Sequence, residues 1–100
     1  VTGSPQRVAV YGGDLRRLVR ALTDFADVAL FGSTGQTGQD ELRRLLAALR
    51  AGGVREVCVS VRWAGHGEVD AIRRLCRRLR VPCRDFLSIG AVRRCLSCDS

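Results

Sequence analysis

A histidine and a tryptophan stand three positions apart in residues 62–67, a segment that also contains two glycines. His66 is the only histidine of the chain and Trp63 is its only tryptophan. An indole ring offers a stacking surface for a base, and an imidazole ring titrates near neutral pH. We therefore interpret Trp63 and His66 as candidate ligand contacts. The alternative is that His66 only caps the helix predicted to follow it.

Two glycine-containing segments point to phosphate binding. Gly12 and Gly13 follow an apolar run and precede a helical pattern, where glycine permits close backbone approach and a helix N-terminus presents free N–H groups to an anion. A purely conformational turn is the alternative, since the full G-x-G-x-x-G fingerprint is missing. In the glycine-rich segment 32–38, Ser33 and Thr34 are candidates for hydrogen bonds to a ribose or a phosphate, unless this is only a solvated loop.

Few residues of this chain are combined in a way that could catalyse a reaction. Only His66 can serve as a general base near neutral pH without strong pKa tuning, and neither a G-x-S-x-G motif nor a pair of carboxylates accompanies it. The sequence therefore favours a protein that is not an enzyme, and it identifies no cofactor.

The charge balance indicates acidic partners. Seventeen arginines face ten acidic residues, which leaves a net charge of +7, and a positive field attracts phosphates. The most basic segment is the third predicted helix, where the candidate nucleic-acid contacts are Arg73, Arg74, Arg77 and Arg78. The alternative is that these arginines only solvate a helix face.

The five cysteines are an odd number, and the chain does not open on a secretory signal pattern. We expect reduced thiols and a cytoplasmic location. Cys58, Cys76 and Cys83 fall on apolar phases, which predicts small core residues. Cys95 and Cys98 form a C-x-x-C without a second ligand pair, so we expect no metal site.

Short apolar runs alternate with amphipathic segments along the chain. This alternation predicts right-handed crossovers, a parallel sheet and helices on both faces. We therefore predict a small single-domain, doubly wound (Rossmann-like) α/β fold over residues 7–96, with 1–6 as a linker or expression remnant and 97–100 as a frayed tail. The predicted strands lie near 7–11, 27–31, 55–61 and 82–86, and the predicted helices begin at Asp14, cover 39–51, follow Gly67 and cover 88–96.

Helical spacing also predicts the core. The residues expected to face inward are Leu15, Leu18, Val19, Leu45, Leu49, Ile72, Leu75 and Leu79. Four short strands leave sheet edges exposed, so a homo-oligomer, most simply a homodimer, is expected. The apolar stretches are far shorter than the roughly 20 residues that cross a bilayer, so we expect no membrane association.

Several of these features recur together in one known family. Over about residues 7–96 the chain resembles an uncharacterised, Rossmann-like bacterial family of unknown function. The resemblance implies the same fold, a bacterial origin and a family site, while no activity follows from it. The matching residues are Gly12 and Gly13, His66, the Arg73-x-x-Cys76-Arg77 pattern, Pro82 and Ser88.

The function expected from these observations is a non-enzymatic binding or regulatory module. It would recognise phosphate groups of a nucleotide or nucleic acid through the glycine turns and the arginine-rich helix. In this interpretation Gly13, Ser60 and His66 share one crevice, because strands one and three should be neighbours. The alternative is a self-associating interaction domain, as a homodimer or part of a larger assembly, with no small-molecule ligand.

Overall fold

Four strands alternate with four helices along the chain. A computed structural model describes residues 7–25, 27–32, 38–62 and 65–98, with the backbone alone at Gln39, His66, Ser97 and Cys98. The elements are β1 (Arg7–Tyr11), α1 (Leu15–Leu22), β2 (Val28–Phe31), α2 (Gly38–Arg50), β3 (Val54–Ser60), α3 (His66–Leu79), β4 (Cys83–Phe86) and α4 (Ile89–Cys98).

The strands form one sheet in the order β2-β1-β3-β4, and all its pairings are parallel. Helices α1 and α4 pack together on one face, and α2 and α3 pack together on the other. The predicted doubly wound α/β fold is therefore confirmed. The chain leaves β1 toward β2 and later returns to place β3 on the opposite side of β1. The strand order thus reverses between β1 and β3.

The central strand β1 is buried on both faces because helices cover both. Val8 and Val10 pack toward α1 and α4, and Ala9 and Tyr11 pack toward α2 and α3. Successive side chains of a strand point to opposite faces, so an uninterrupted apolar run is what a doubly covered strand requires.

The predicted core residues Leu18, Leu45, Leu49 and Ile72 are buried, and Leu75 is half-buried against the α2/α3 core. Three other predictions are wrong: Leu15, Val19 and Leu79 are 38%, 47% and 39% exposed. Leu15 and Leu79 lie at helix ends, where less of the sheet is available for packing. Val19 lies on α1, which contacts the edge strand β2, and beyond that strand the sheet offers no further surface.

The element boundaries follow local hydrogen bonding. Pro82 has no N–H to give to a ladder, and β4 begins just after it, while its carbonyl accepts from Val57 at 2.9 Å. Ser88 precedes α4, and its hydroxyl accepts from the Ala91 amide at 3.2 Å, so the residue predicted to open this helix caps it. The helix continues through Ser97 and Cys98. None of the described helices has the length and apolar character needed to cross a bilayer.

Candidate functional site

The carboxyl ends of β1, β2 and β3 lie at one edge of the sheet, since all the strands are parallel. β1 and β3 are hydrogen-bonded neighbours, with Tyr11 in register with Val59. This confirms the prediction that strands one and three are adjacent. The strand order reverses between them, and ligands of open α/β sheets bind outside the carboxyl ends at such a reversal.

The Gly12–Gly13 turn closes this edge at the end of β1. Both residues have positive φ, +124° at Gly12 and +90° at Gly13, where side chains other than hydrogen are strained. A Cβ on Gly12 would lie 2.9 Å from the Cβ of Ser60 and 3.0 Å from its carbonyl oxygen. Glycine is therefore required at position 12 by conformation and by contact. The turn and the end of β3 touch directly.

A third glycine, Gly32, brings the end of β2 into the same place. A side chain at position 32 would crowd its neighbours, since a Cβ there would lie 3.0 Å from the Cβ of Leu15 and 3.3 Å from the carbonyl oxygen of Gly13. The first turn of α1 consequently rests on the ends of β1 and β2. We call the place where Gly12, Gly13, Gly32 and Ser60 meet the glycine crevice.

The N-terminus of α1 opens at the glycine crevice. Asp14, where the first helix was predicted to begin, is the N-cap, and its carboxylate accepts from the Arg16 amide at 3.0 Å. The first amides of a helix have no partners within the helix, so they can donate to an anion. Arg16 and Arg17 are exposed in this turn and add positive charge beside the Asp14 carboxylate.

Ser60 is the buried polar group of the crevice. It is 1% exposed, and its hydroxyl has no hydrogen-bond partner among the residues that the structure describes. The side chain shares the face of Cys58, two positions earlier, and therefore points to the α1/α4 side of the sheet. A buried hydroxyl without a partner is unfavourable, so this position is suited to a ligand atom that accepts its hydrogen bond.

His66 opens α3, which begins at the same edge. Gly65 holds the N-cap position, with φ −70° and ψ 154°, and its carbonyl accepts from Val69 at 3.0 Å. His66 is the first helical residue, so the alternative that it serves as the N-cap is wrong. Its ring lies outside the described residues, as do Trp63 and the two predicted ligand contacts in segment 32–38, Ser33 and Thr34.

A polar cluster on the α2/α3 side of this edge was not predicted. The Tyr11 hydroxyl donates to Oε2 of Glu68, in the first turn of α3. Glu41, in the first turn of α2, is 8% exposed, with Oε1 at 3.4 Å from Nη1 of Arg44. Burial and the hydrogen bond to Glu68 raise the pKa of Tyr11 far above its usual value, and the nearby Glu41 charge adds to this.

This cluster places negative charge across β1 from the glycine crevice. Negative charge therefore lies on the α2/α3 side of this edge, while the Ser60 hydroxyl points to the α1/α4 side. The sequence held one signal for Glu68, because Gly65 and Glu68 have the N-cap and N3 spacing of a helix start. Nothing in the sequence signalled its contact with Tyr11.

The arginines of α3 form a second, separate surface. Arg73, Arg74, Arg77 and Arg78 are all exposed, and Arg73 forms an ion pair with Asp85 of β4. From His66 to Arg77 the helix rises by about 16 Å, away from the carboxyl edge. The structure thus brings Gly12, Gly13 and Ser60 together but does not bring the arginine surface into the glycine crevice.

In the described ranges, no three His, Cys, Asp or Glu side chains are grouped so that they could hold a metal ion. The prediction that Cys95 and Cys98 form no metal site stays a prediction, since the Cys98 side chain lies outside those ranges.

Comparisons with protein-family models, with curated proteins and with solved structures give no match. The resemblance to a Rossmann-like family of unknown function stays a prediction.

Proposed function

We propose that this chain is a non-enzymatic binding module for phosphate groups, those of a nucleotide or of a nucleic acid, and that the glycine crevice is its phosphate site. One observation carries the proposal, the buried Ser60 hydroxyl without a partner among the described residues. Leaving such a group unsatisfied costs about 1–3 kcal/mol, which a phosphate oxygen that accepts its hydrogen bond would recover.

Three neighbouring features support the assignment of phosphate. Gly12 and Gly13 let the backbone approach a ligand, and the α1 N-terminus supplies amide donors. Arg16 and Arg17 contribute positive charge in the first turn. A nucleotide would place its phosphate over this turn and its base toward residues 62–67, where the sequence provides Trp63 and His66.

The test is ligand-dependent stability of a Ser60→Ala variant. We expect nucleoside mono-, di- or triphosphates to raise the melting temperature of the wild-type chain, because a ligand of the folded state stabilises it by mass action. Without ligand, Ser60→Ala should unfold at the same temperature as wild type or slightly higher, since it removes an unsatisfied hydroxyl. With ligand, the melting temperature of the variant should rise less than that of wild type.

Ser88→Ala is the matched control. It also removes one serine hydroxyl, but that hydroxyl caps α4 by accepting from Ala91. The control should therefore lose about 1 kcal/mol of stability and keep the full ligand-induced shift. Equal shifts in the Ser60→Ala variant and wild type would contradict the site.

His66→Ala tests the other side of the crevice. Because Gly65 occupies the N-cap, removal of the imidazole should leave the melting temperature nearly unchanged and weaken nucleotide binding. Lost stability with intact binding would instead assign His66 a structural role.

The nucleic-acid form of the proposal depends on the arginine surface of α3. Contacts between arginine and phosphate release counterions, so binding of an oligonucleotide should weaken steeply as salt rises. Replacing Arg73, Arg74, Arg77 and Arg78 by Gln should flatten the salt dependence. The control removes the same charge elsewhere, from the exposed Arg43, Arg50, Arg55 and Arg94. A slope that changes equally in both variants would exclude a defined surface on α3.

Self-association is the second candidate, and one observation favours it. Leu15 and Val19 lie four residues apart on α1 and are 38% and 47% exposed. Residues at this spacing share a helix face, so they form a small apolar surface above the edge strand β2. Sedimentation velocity of wild type and of a Leu15→Gln, Val19→Gln double variant distinguishes a dimer built on this surface from a monomer.

A further inference from the structure

A groove lies between α3 and the edge strand β4, apart from the glycine crevice. Its volume is about 260 Å³, and it is lined by Arg73, Cys76, Arg77, Val81, Cys83 and Asp85. The cysteines come from the last turns of α3 and the first residue of β4. Since α3 runs away from the carboxyl edge, this groove, which we call the cysteine groove, does not overlap the phosphate site.

A tight turn brings the two cysteines together. Arg80 adopts the left-handed conformation, with φ 59°, and ends α3. The Val81 amide then donates to the Cys76 carbonyl at 2.8 Å, which returns the chain over the last helical turn. Cys83 follows two residues later, and the Cys76 and Cys83 side chains line the same groove and belong to the same packed cluster. Both cysteines are reduced.

The surroundings make the two thiols unequal. Cys76 is 1% exposed, whereas Cys83 is partly open to solvent. The neighbouring Cys76 thiol lowers the pKa of the Cys83 thiol; burial and the Asp85 charge oppose this, and the Arg73 charge assists it. The neighbouring Cys83 thiol, together with burial, raises the pKa of Cys76. Cys83 is therefore the thiol at the solvent side and Cys76 the thiol behind it.

We propose that Cys76 and Cys83 are a redox-active dithiol that reduces a small anionic disulfide, with Cys83 as the nucleophile and Cys76 as the resolving thiol. The geometry that carries this is a pair of thiols of unequal exposure that line one open groove together with two arginines. A thiolate next to positive charge and within reach of a second thiol is the arrangement that thiol–disulfide exchange needs.

The exchange has two steps. Cys83 loses its proton to solvent and attacks one sulfur of the disulfide as a thiolate, a new S–S bond forms, and the first half of the substrate leaves as a thiolate. Cys76 then loses its proton to solvent and attacks the Cys83 sulfur, which forms the Cys76–Cys83 disulfide and expels the second half. The protein loses two electrons and two protons, and the substrate becomes two thiols.

The substrate class follows from the charge of the groove. Arg73 and Arg77 line it on α3, and because Asp85 of the lining balances the charge of Arg73, Arg77 gives the groove its excess positive charge. Positive charge raises the local concentration of anions, so a disulfide that carries carboxylates is favoured over a neutral or cationic one.

The test uses the dianionic disulfide dithiobis(nitrobenzoate) with the wild-type chain, followed by peptide mapping under non-reducing conditions. The proposal expects a fast phase that releases two nitrothiobenzoate ions and leaves a Cys76–Cys83 disulfide. In Cys76→Ala the fast phase should release one ion and leave an adduct on Cys83. In Cys83→Ala the fast phase should be lost. The wild-type mapping decides even where a variant does not fold.

Other cysteines provide the controls. Cys58 is buried, and that burial raises its pKa to about 12, so Cys58→Ala should keep the fast phase unchanged. Cys95 is half-buried on α4, and its sulfur accepts from Nη1 of Arg84 at 3.0 Å. A persistent adduct on wild-type Cys83, a disulfide from Cys83 to Cys95, or no reaction at Cys83 before unfolding would each overturn the proposal.

A charge variant tests the substrate class. Arg77→Gln should slow the reaction with the dianionic reagent several-fold and leave the reaction with neutral dipyridyl disulfide unchanged. Arg78→Gln is the control, since Arg78 is exposed on the same helix but does not line the groove. Equal slowing with both reagents would refute recognition of anionic disulfides by charge.

Discussion

The two helical layers cover the sheet to different extents. On one face, α2 and α3 have 13 and 14 residues, and on the other, α1 and α4 have 8 and 10. At a rise of about 1.5 Å per residue, α2 and α3 are about 20 Å long, while α1 reaches only about 12 Å. The longer pair therefore extends further along the strands than α1 does. Leu15 and Val19, at 38% and 47% exposed, belong to the shorter layer, and Leu79, at 39%, lies at the end of α3 in the longer one.

The layers also differ in the polar link that each contains. In the α2/α3 layer, buried Tyr11 donates to Glu68. In the α1/α4 layer, Arg93 donates from an exposed position to the Ala21 carbonyl and to Asp24, each at 2.6 Å, and lies 5.5 Å from the Phe25 ring centre. A buried link strengthens in a low dielectric, and an exposed one is weakened by water and salt. The larger share of stability should therefore come from the α2/α3 layer.

The largest effect should separate two leucines, one from each layer. Leu45→Ala in α2 removes a fully buried side chain, so the free energy of unfolding should fall by about 2–5 kcal/mol. Leu15→Ala in α1 removes one that is 38% exposed, and the loss should be about 1 kcal/mol or less. Urea unfolding followed by circular dichroism measures both. Equal losses would show that the shorter layer packs as tightly as the longer one.

Tyr11→Phe probes the buried link and should have an intermediate effect. At neutral pH it removes a hydrogen bond to a carboxylate, and we expect a loss of about 1.5–3 kcal/mol. In the folded chain the raised pKa keeps Tyr11 protonated above pH 10, whereas the unfolded chain ionises near pH 10. Wild type should therefore lose stability as pH rises above about 10, at up to about 1.4 kcal/mol per pH unit from this group.

The variant lacks this ionisation, so the difference between wild type and Tyr11→Phe should shrink above about pH 10. Urea unfolding at a series of pH values measures the difference. A difference that stays constant through pH 11 would mean that Tyr11 titrates normally in the folded chain.

The smallest effect is expected at the exposed link. Arg93→Gln should lower stability by about 1 kcal/mol or less, and the difference from wild type should shrink as salt increases. Arg94→Gln is the control, because the neighbouring Arg94 makes only a 3.5 Å contact with the Gly90 carbonyl. Thermal unfolding at low and high salt measures both variants. A loss at Arg93 as large as that at Tyr11 would remove the distinction between the layers.

Most of the architecture was predictable because its causes are local. The apolar runs of β1 and β3 and the helical spacing of Leu45 and Leu49 record which faces must be buried. The errors at Leu15 and Val19 have one origin. Periodicity identifies the apolar face of a helix, but it does not say how far the opposing sheet extends beneath that face.

The candidate site was predictable where it depends on strand ends. Gly12, Gly13 and Ser60 were found because parallel strands end at a common edge, whatever their side chains. The contact of Tyr11 with Glu68 joins residues 57 positions apart and was missed. Such a contact depends on where α3 begins relative to β1, and no local pattern encodes that distance.

Cys76 and Cys83 illustrate the same difference between what the local sequence predicts and what the packing decides. By itself, the sequence determined that Cys76 and Cys83 occupy apolar phases of a helix and a strand, and that Gly12 and Gly13 must turn the chain after β1. Only the tertiary structure decided that both thiols line one charged groove, and that the Ser60 hydroxyl is buried with no hydrogen-bond partner among the described residues. The face of a helix or strand that is buried follows from the pattern of neighbouring residues. Contacts between distant residues follow from how the helical layers pack on the sheet, and that packing depends on the whole chain.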